Sequence, residues 1–303
     1  MNTLIVIAGP TASGKTAAAI QFAKQLNTVI VSADSRQFYK EMTIGTAVPS
    51  LKELHEVKHY FIQNISILKD YDVADYERDA LKLLNLLFKE HDQVVMAGGS
   101  GLYIDAVCRG LDLMPDITLE TRQRVTQLFE KQGLKGLQAE VQRLDPEYWT
   151  VVDQRNPRRL QRALEICYQT GSTFTSFRTR KPVKRNYDIV KYALFREKQE
   201  LYNRINQRVE VMLAQGLVDE ARKLLPYRGR NALNTMGYKE LFEYFDGKCS
   251  LNDAVEQIKL NTRHYAKRQM TWLRKDQEYI WINPSMGERI TFPIVSPLAS
   301  RHS

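Results

Sequence analysis

The chain has 303 residues, 43% of them hydrophobic and 26% charged, which is ordinary for a globular protein with a sizeable core. Its start lacks the basic region of a signal peptide, no stretch approaches the ~20 apolar residues of a membrane span, and the three cysteines and five histidines show no disulfide or metal-ligand spacing. The net charge of +9 favours a polyanionic partner such as a nucleic acid. We therefore expect a cytoplasmic protein that does not bind membranes.

The first part of the chain alternates between strand and helix patterns. Leu4 to Ala8 is a short apolar run, and helical spacing of apolar residues follows from about Ser13 to Leu26. Further strands are predicted at Thr28 to Ser32 and Gln93 to Ala97, with an amphipathic helix at Val73 to Lys89 between them. This alternation predicts an α/β fold in which helices flank a parallel sheet.

After Pro115 the pattern becomes helical, and no strand candidate appears before about residue 188. Helical spacing is present at Leu119 to Glu130, Leu134 to Leu144 and Asn156 to Thr170. We predict a helical insertion at 115–187, a discontinuous catalytic core at 1–114 and 188–283, and a loosely held tail at 284–303. The core is completed by a strand at 187–195 and by helices at 198–215, 218–225, 238–245 and 251–275.

Basic residues are concentrated in the predicted insertion. Between positions 155 and 191 they are opposed only by Glu165 and Asp188. A solvated basic face is the simplest interpretation, but the location of this run in the segment that interrupts the core favours polyanion binding. The basic residues are Arg155, Arg158, Arg159, Arg162, Arg178, Arg180, Lys181, Lys184, Arg185 and Lys191.

The segment GPTASGKT at 9–16 matches the phosphate-binding pattern GxxxxGK[ST] and lies between the first predicted strand and helix. In such a P-loop, backbone N–H groups surround phosphate oxygens, and the start of the helix adds positive potential. Lys15 would supply a positive charge and Thr16 a hydroxyl for Mg²⁺. A chance glycine turn would also precede a helix, but the complete motif in this position favours a phosphate site.

Asp34 is the first carboxylate at the end of a predicted strand. P-loop NTPases usually have an acidic residue after a later core strand, whereas here the strand at 93–97 continues into Gly98-Gly99-Ser100-Gly101. Ligands of open α/β sheets bind at the carboxyl ends of strands, so Asp34 should face the phosphate pocket. From spacing alone, helix capping or a water-mediated Mg²⁺ contact explains Asp34 as well as catalysis does.

A series of further motifs follows the P-loop in a fixed order. They are SADSRQFYKEMTIGTA at 32–47, GGSGLY at 98–103, NPRRLQRALE at 156–165, RINQRV at 204–209, GYKE at 237–240 and TRHYAKRQMTWLR at 262–274. Together with the P-loop they closely resemble the tRNA dimethylallyltransferase family, over about residues 3 to 275. The ordered set is far more specific than the P-loop alone.

This resemblance implies a transfer of the dimethylallyl group of dimethylallyl diphosphate to the exocyclic amine of an anticodon-loop adenosine in tRNA, without consumption of ATP. It implies that Asp34 meets that amine and that Mg²⁺ accompanies the diphosphate at Thr16. The implied diphosphate ligands are Gly9, Thr11, Ala12, Ser13, Gly14, Lys15, Thr16 and Arg208. The implied contacts with tRNA are Asp34, Ser35, Arg36, Gln37, Ser100, Arg122, Arg158, Arg159, Leu160, Gln161 and Arg162.

The chain departs from the family pattern in two places. Ser100 stands where the family often has Thr, which keeps the hydroxyl, and His59-Tyr60 replaces a frequent His-His pair, which would alter contacts with tRNA. The chain also lacks cysteines for the C-terminal zinc finger of eukaryotic relatives, which indicates the bacterial type. Without the resemblance, Arg208 would be assigned to a solvated basic stripe together with Arg204.

Other functions remain open at this point. The nearest alternative is an isopentenyltransferase that acts on free adenine nucleotides, and a small-molecule P-loop kinase is more distant. A non-catalytic RNA-binding protein with a P-loop is the alternative from a different class. Because no coiled-coil or dimerisation stripe is evident, we expect a monomer.

Overall fold

A parallel sheet forms the centre of the larger structural unit. The computed structural model describes residues 2–179 and 181–284. Its strands are β1 (Thr3–Ala8), β2 (Ile30–Ser32), β3 (His59–Tyr60), β4 (Gln93–Gly98), β5 (Asp188–Leu194) and β6 (Tyr279–Ile282). They form one six-stranded sheet in the order β3-β2-β4-β1-β5-β6, with parallel pairing throughout.

Helices cover both faces of this sheet and form the smaller unit. They are α1 (Lys15–Gln25), α2 (Leu51–Glu56), α3 (Val73–Leu87), α4 (Gly101–Arg109), α5 (Leu119–Leu144), α6 (Pro146–Val151), α7 (Pro157–Thr170), α8 (Phe174–Phe177), α9 (Lys198–Ala214), α10 (Leu217–Leu224), α11 (Tyr238–Phe245) and α12 (Leu251–Leu273). Among residues 2–179 and 181–284, none of the helices combines the length and the apolar character that a bilayer-spanning segment needs.

The central strand β1 is buried along its whole length. Its side chains alternate between two cores: Ile5 and Ile7 share one with Phe22 of α1, whereas Leu4 and Val6 belong to the larger core on the other face. Burial on both faces explains why β1 is a continuous apolar run. Its last residue, Ala8, lies opposite the ends of β4 and β5, so the loops after these strands meet at one edge.

The chain divides into two compact units, one of which is the segment Arg109–Lys184. The sequence-based bounds for the insertion were 115 and 187. This unit contains α5 to α8 around its own core, which includes Val125, Leu137 and Leu164. Helix α5 is interrupted at Gly133, where φ is 61° and ψ is −155°, a conformation that glycine adopts without steric cost. The two helices that the sequence predicts on either side of residue 133 are therefore present, as the two segments of α5 that meet at this kink.

Several elements of the fold have no recognisable pattern in the sequence. The strands β3 and β6 have two and four residues, too few for a periodic pattern, and α4 begins inside the glycine-rich segment GGSGLY. The short helices α2, α6 and α8 were also not predicted. The departure His59-Tyr60 forms β3, and His59 Nδ1 lies 2.8 Å from the carbonyl oxygen of Val57. The proposed tail beyond Pro284 and the basic residue Arg180 lie outside the described residues.

Candidate active site

A cleft of about 1170 Å³ opens at the carboxyl ends of the strands. All of its lining residues belong to the larger unit, and the P-loop and the segment after β2 form part of its wall. This is where an open α/β sheet binds its ligands. Of the predicted site residues, the lining includes Thr11, Ala12, Gly14, Lys15, Thr16, Asp34, Ser35, Arg36, Gln37 and Arg208.

The P-loop is a tight connection between β1 and α1. A Cβ atom at Gly9 would lie 2.8 Å from Ser13 Oγ and 2.9 Å from the Leu194 carbonyl oxygen, so only glycine fits there. Gly14 has a φ of 100°, in the left-handed region that favours glycine. Because α1 begins at Lys15, its first N–H groups have no partner within the helix and are available to an anion.

Lys15 lies on the cleft wall, and its ammonium group contacts the P-loop. Its Nζ donates a hydrogen bond to the Pro10 carbonyl oxygen at 2.8 Å. The residue is half-buried overall, but its ammonium group lies away from water, and this desolvation lowers the pKa of Lys15 to about 8. The negative charge of Asp34 opposes this decrease, and the positive charge of Arg208 adds to it. A bound polyanion would place negative charge beside this ammonium group and favour its protonated form.

Three arginines lie against the P-loop. Arg208 Nη1 is 3.4 Å from Thr11 Oγ1, Arg204 Nε donates to the Ala12 carbonyl oxygen at 2.8 Å, and Arg196 Nε donates to the Ser13 carbonyl oxygen at 2.9 Å. Burial is the main cause that lowers the pKa of Arg208, and repulsion by Arg204 adds to it. The proximity of Arg208 to the P-loop contradicts its alternative assignment to a solvated stripe.

Asp34 follows β2 and is half-buried in the cleft wall. Its Oδ1 accepts a hydrogen bond from the Arg36 backbone N–H at 3.0 Å, which fixes the carboxylate in a local turn. Burial and, secondarily, Asp34 raise the pKa of Tyr265 to about 12. Asp34 also acts electrostatically on both Lys15 and Arg208, so this carboxylate and these two cations lie in the same part of the cleft.

Other residues predicted to contact tRNA hold the cleft together. Ser100 is buried, and its Oγ accepts from the Ser35 N–H at 3.0 Å and donates to Ser35 Oγ at 3.1 Å. Arg36 Nη1 donates to the carbonyl oxygens of Asn231 and Ala232 at 3.0 and 3.1 Å, and Gln37 Nε2 donates to that of Ala47 at 2.9 Å. The Ser100 hydroxyl is used within the loop, and a direct tRNA contact of Ser100 stays a prediction.

Gln269 is a site residue that no pattern in the sequence predicts. This side chain of α12 is buried; its Oε1 accepts from the Thr11 N–H and its Nε2 donates to the Gly99 carbonyl oxygen, both at 2.8 Å. A Cβ at Gly99 would lie 2.3 Å from Gln269 Nε2, so a side chain at position 99 would collide with the Gln269 amide. The sequence offers only one sign of this role: in the motif TRHYAKRQMTWLR, a glutamine stands among basic residues and close to a tryptophan. Arg196 and Arg204 were missed as well, although Arg196 follows shortly after β5.

In the smaller unit, the predicted tRNA contacts differ in exposure. Arg122, Arg158 and Arg159 are exposed, and Gln161 is half-buried. Arg162 forms an ion pair with Glu165 at 3.3 Å, which offsets part of its charge. Leu160 is fully buried in the core of this unit, so its side chain cannot touch tRNA, and that prediction is wrong. The alternation follows from α7 being amphipathic, with one face in the core.

The described residues 2–179 and 181–284 hold no group of three or more His, Cys, Asp or Glu side chains that could bind a metal ion. The Thr16 hydroxyl on the cleft wall is a hard oxygen donor. Mg²⁺ is commonly held by few protein oxygens together with water and substrate phosphates. The donor set therefore fits a cation that arrives with a phosphorylated substrate.

A family model described as IPP transferase matches residues 37–276. The chain belongs to the IPP transferase family. It is 48% identical to tRNA dimethylallyltransferase 1 of Bacteroides thetaiotaomicron over 96% of this chain and 94% of the relative, and 51% identical to tRNA dimethylallyltransferase of Christiangramia forsetii over 92% and 93%. These alignments with members of the IPP transferase family extend over nearly the whole chain.

A solved structure of a relative has the same fold as this chain. The full-length tRNA isopentenylpyrophosphate transferase of Bacillus halodurans superposes with a TM-score of 0.69 at 34% identity, covering 93% of this chain and 90% of that one. The predicted fold class, a P-loop NTPase-like parallel sheet flanked by helices, is confirmed. The predicted family is confirmed as well, and the relatives are bacterial.

Proposed function

We propose that this chain is a tRNA dimethylallyltransferase. It transfers the dimethylallyl group of dimethylallyl diphosphate to the exocyclic N6 amine of an adenosine 3′ of the anticodon. The observation that carries the proposal is the cleft in which Lys15 and Arg208 border the P-loop while Asp34 stands beside them. The names of the bacterial relatives support the same substrate pair.

The reaction is a direct displacement at the allylic carbon. The bond from N6 to this carbon forms while the carbon–oxygen bond breaks, and the diphosphate leaves with the bonding electrons. The amine is a poor nucleophile because its lone pair is delocalised into the ring, so orientation and proton removal must compensate. Asp34 accepts the amine proton, and Lys15 and Arg208 stabilise the charge that develops on the diphosphate.

Mg²⁺ would be held by the Thr16 hydroxyl together with diphosphate oxygens, and it would neutralise part of the diphosphate charge when bound.

The P-loop contacts phosphate groups and does not recognise the base. The target base is read only after it leaves its stack, which costs least for an unpaired loop nucleotide. The exposed Arg158 and Arg159 of α7 would bind phosphates of the anticodon arm.

The geometry disfavours the kinase alternative. The position at the end of β4 where P-loop NTPases often have a carboxylate is Gly98, and a Cβ there would lie 2.3 Å from the Ala33 carbonyl oxygen. No side chain fits at this position unless the end of β2 moves.

One assay separates the remaining alternatives. The protein is incubated with radiolabelled dimethylallyl diphosphate and with tRNA, AMP or no acceptor, while ATP hydrolysis is followed in parallel. We expect label in tRNA alone. Label in AMP would indicate the enzyme of free nucleotides, ATP hydrolysis a kinase or NTPase, and tRNA binding without transfer a non-catalytic protein.

A further inference from the structure

Three carbonyl groups of the P-loop each accept a hydrogen bond from a cationic side chain. Pro10 binds Lys15 Nζ, Ala12 binds Arg204 and Ser13 binds Arg196. Arg208 and Arg204 also line the cleft, but Arg196 is absent from its lining. The Arg196 side chain is only 7% exposed, and its Nη1 pairs with the Glu200 carboxylate. Arg196 therefore touches the P-loop without facing the substrate.

The geometry of one peptide unit links Arg196 to the anion site. In a planar trans peptide the carbonyl and the following N–H point in opposite directions, and the Ser13–Gly14 bond is trans. Arg196 holds the Ser13 carbonyl oxygen, so the Gly14 N–H points away from Arg196. Gly14 lines the cleft, and the N–H groups of a P-loop at this position contact phosphate oxygens.

A hydrogen bond from outside the loop restrains this peptide unit. Gly14 has a φ of 100°, and glycine has access to other backbone conformations at little steric cost, so a change in the orientation of this peptide unit is not blocked by a side chain at Gly14. A hydrogen bond from a charged donor is stronger than one between neutral groups. The Glu200 carboxylate, four residues further along the chain in α9, binds Nη1 of the same guanidinium.

We propose that Arg196 is a positioning residue for the transfer reaction. It holds the Ser13 carbonyl so that the Gly14 N–H faces the diphosphate, and Glu200 holds Arg196. This inference rests on the proposed function for the identity of the anion. A direct contact of Arg196 with the diphosphate is the competing role. Its low exposure, its use of Nε on the loop and its pairing with Glu200 argue against that contact.

Two substitutions separate a hydrogen bond from a charge. Arg196→Gln places a neutral amide N–H donor where the arginine Nε stands, because both nitrogens occupy the ε position of an unbranched side chain. Arg196→Met places a methyl group there and removes the donor. Lys198→Met is the control for loss of a nearby positive charge, since Lys198 is exposed. Thermal unfolding of each variant verifies that the fold persists.

The readout is the affinity for inorganic diphosphate with Mg²⁺, measured by calorimetry on the full chain. We expect Arg196→Met to weaken binding roughly tenfold, the equivalent of one hydrogen bond to a charged group. Arg196→Gln should recover most of this affinity, and Lys198→Met should be nearly silent. Measurement of the dimethylallyl transfer rate should show the same ranking at subsaturating diphosphate substrate.

Equal decreases for Arg196→Gln and Arg196→Met would overturn the proposal, because the charge would then act directly on the anion. Wild-type affinity in Arg196→Met would overturn it as well. The outcome is separable from the proposed function, since diphosphate binding requires neither tRNA nor transfer. If the wild type binds diphosphate with this ranking but modifies no tRNA, the positioning role stands and the proposed function fails.

Discussion

The cations of the cleft and the cations of α7 are surrounded in different ways. Arg196, Arg204 and Lys15 donate to P-loop carbonyl oxygens, so each has a fixed direction. Arg158 and Arg159 of α7 are exposed side chains. Lys15 and the cations of α7 would both meet phosphate, yet only around the P-loop is the position of the positive charge restricted.

This difference separates two uses of charge. A buried and oriented cation stabilises charge that develops at a defined atom, because the site need not reorganise during the reaction. An exposed cation attracts a polyanion at a distance and releases counterions, so its effect depends on salt. The comparison predicts that changes in the cleft alter turnover, whereas changes on α7 alter affinity and its salt dependence.

The largest effect is expected at Asp34. Asp34→Ala should lower single-turnover transfer by about 10²-fold or more, because the amine loses its proton acceptor. The affinity for tRNA, measured by filter binding, should stay within a few fold, since the phosphate contacts remain. Asp34→Asn serves as a shape control. Turnover close to wild type in either variant would remove Asp34 from the role of general base.

The next effect concerns the leaving group. Lys15→Ala and Arg208→Ala should each lower kcat/KM for dimethylallyl diphosphate by roughly 10 to 10²-fold, because each withdraws charge from oxygens that become more negative as the bond breaks. The control is Arg228→Ala, since Arg228 is exposed and pairs with Asp246 at 2.7 Å. If Arg208→Ala and the control have equal kinetics, Arg208 does not contact the diphosphate.

A smaller effect is expected from pH. The pKa of Lys15 is lowered to about 8, so its ammonium is protonated below that pH and neutral above it. Affinity for inorganic diphosphate should therefore decrease as pH rises through about 8, by at most about tenfold per unit, until the raised pKa of Lys15 in the complex is passed. Lys15→Arg keeps its positive charge in this pH range, so its affinity should not show the decrease near pH 8. Because ionisation of the diphosphate affects both proteins equally, this variant also controls for it. An identical profile in both proteins would contradict the assignment.

The sequence predicts those parts of the fold and site that repeat a pattern. The continuous apolar run of β1 and the helical spacing of α1 and α9 specify their elements, because burial sets their periodicity. The P-loop was located by its glycines, for which Gly9 gives the physical reason: a Cβ there would collide with the Ser13 hydroxyl and the Leu194 carbonyl. Burial periodicity and the need for glycine each involve only a few neighbouring residues, so they can be recognised within one segment of the sequence.

Contacts between distant segments were not predictable in this way. Gln269 joins Thr11 to Gly99 across 258 and 170 positions of the chain, and no spacing reveals that pairing. The family resemblance implies a tRNA contact for Ser100, whereas in the fold its hydroxyl accepts from the Ser35 N–H. Leu160 was carried over with its basic neighbours, but the amphipathic period of α7 directs it into the core. A motif identifies a segment, and the fold decides which side chains of that segment face the ligand.

The smallest effect at moderate salt is expected on α7. Neutralising Arg158, Arg159 and Arg162 to Gln should weaken tRNA binding and make the slope of log affinity against log salt shallower, by about one unit or somewhat less for each phosphate that the variant no longer neutralises. Arg162 should contribute the smallest share, because it already pairs with Glu165. The measurement is tRNA binding across a salt series. Binding of inorganic diphosphate should be unchanged, since the P-loop belongs to the other unit.

The matched control removes three exposed cations of α5 in the same unit, Lys131, Lys135 and Arg143. It changes the net charge by the same amount, so a general attraction between a basic protein and RNA would lower the slope equally in both variants. A shallower slope only in the α7 variant would locate the phosphate contacts on that face. An unchanged slope in the α7 variant would mean that Arg158 and Arg159 are solvated, and the comparison between positioned and exposed phosphate-binding cations would then hold for the cleft alone.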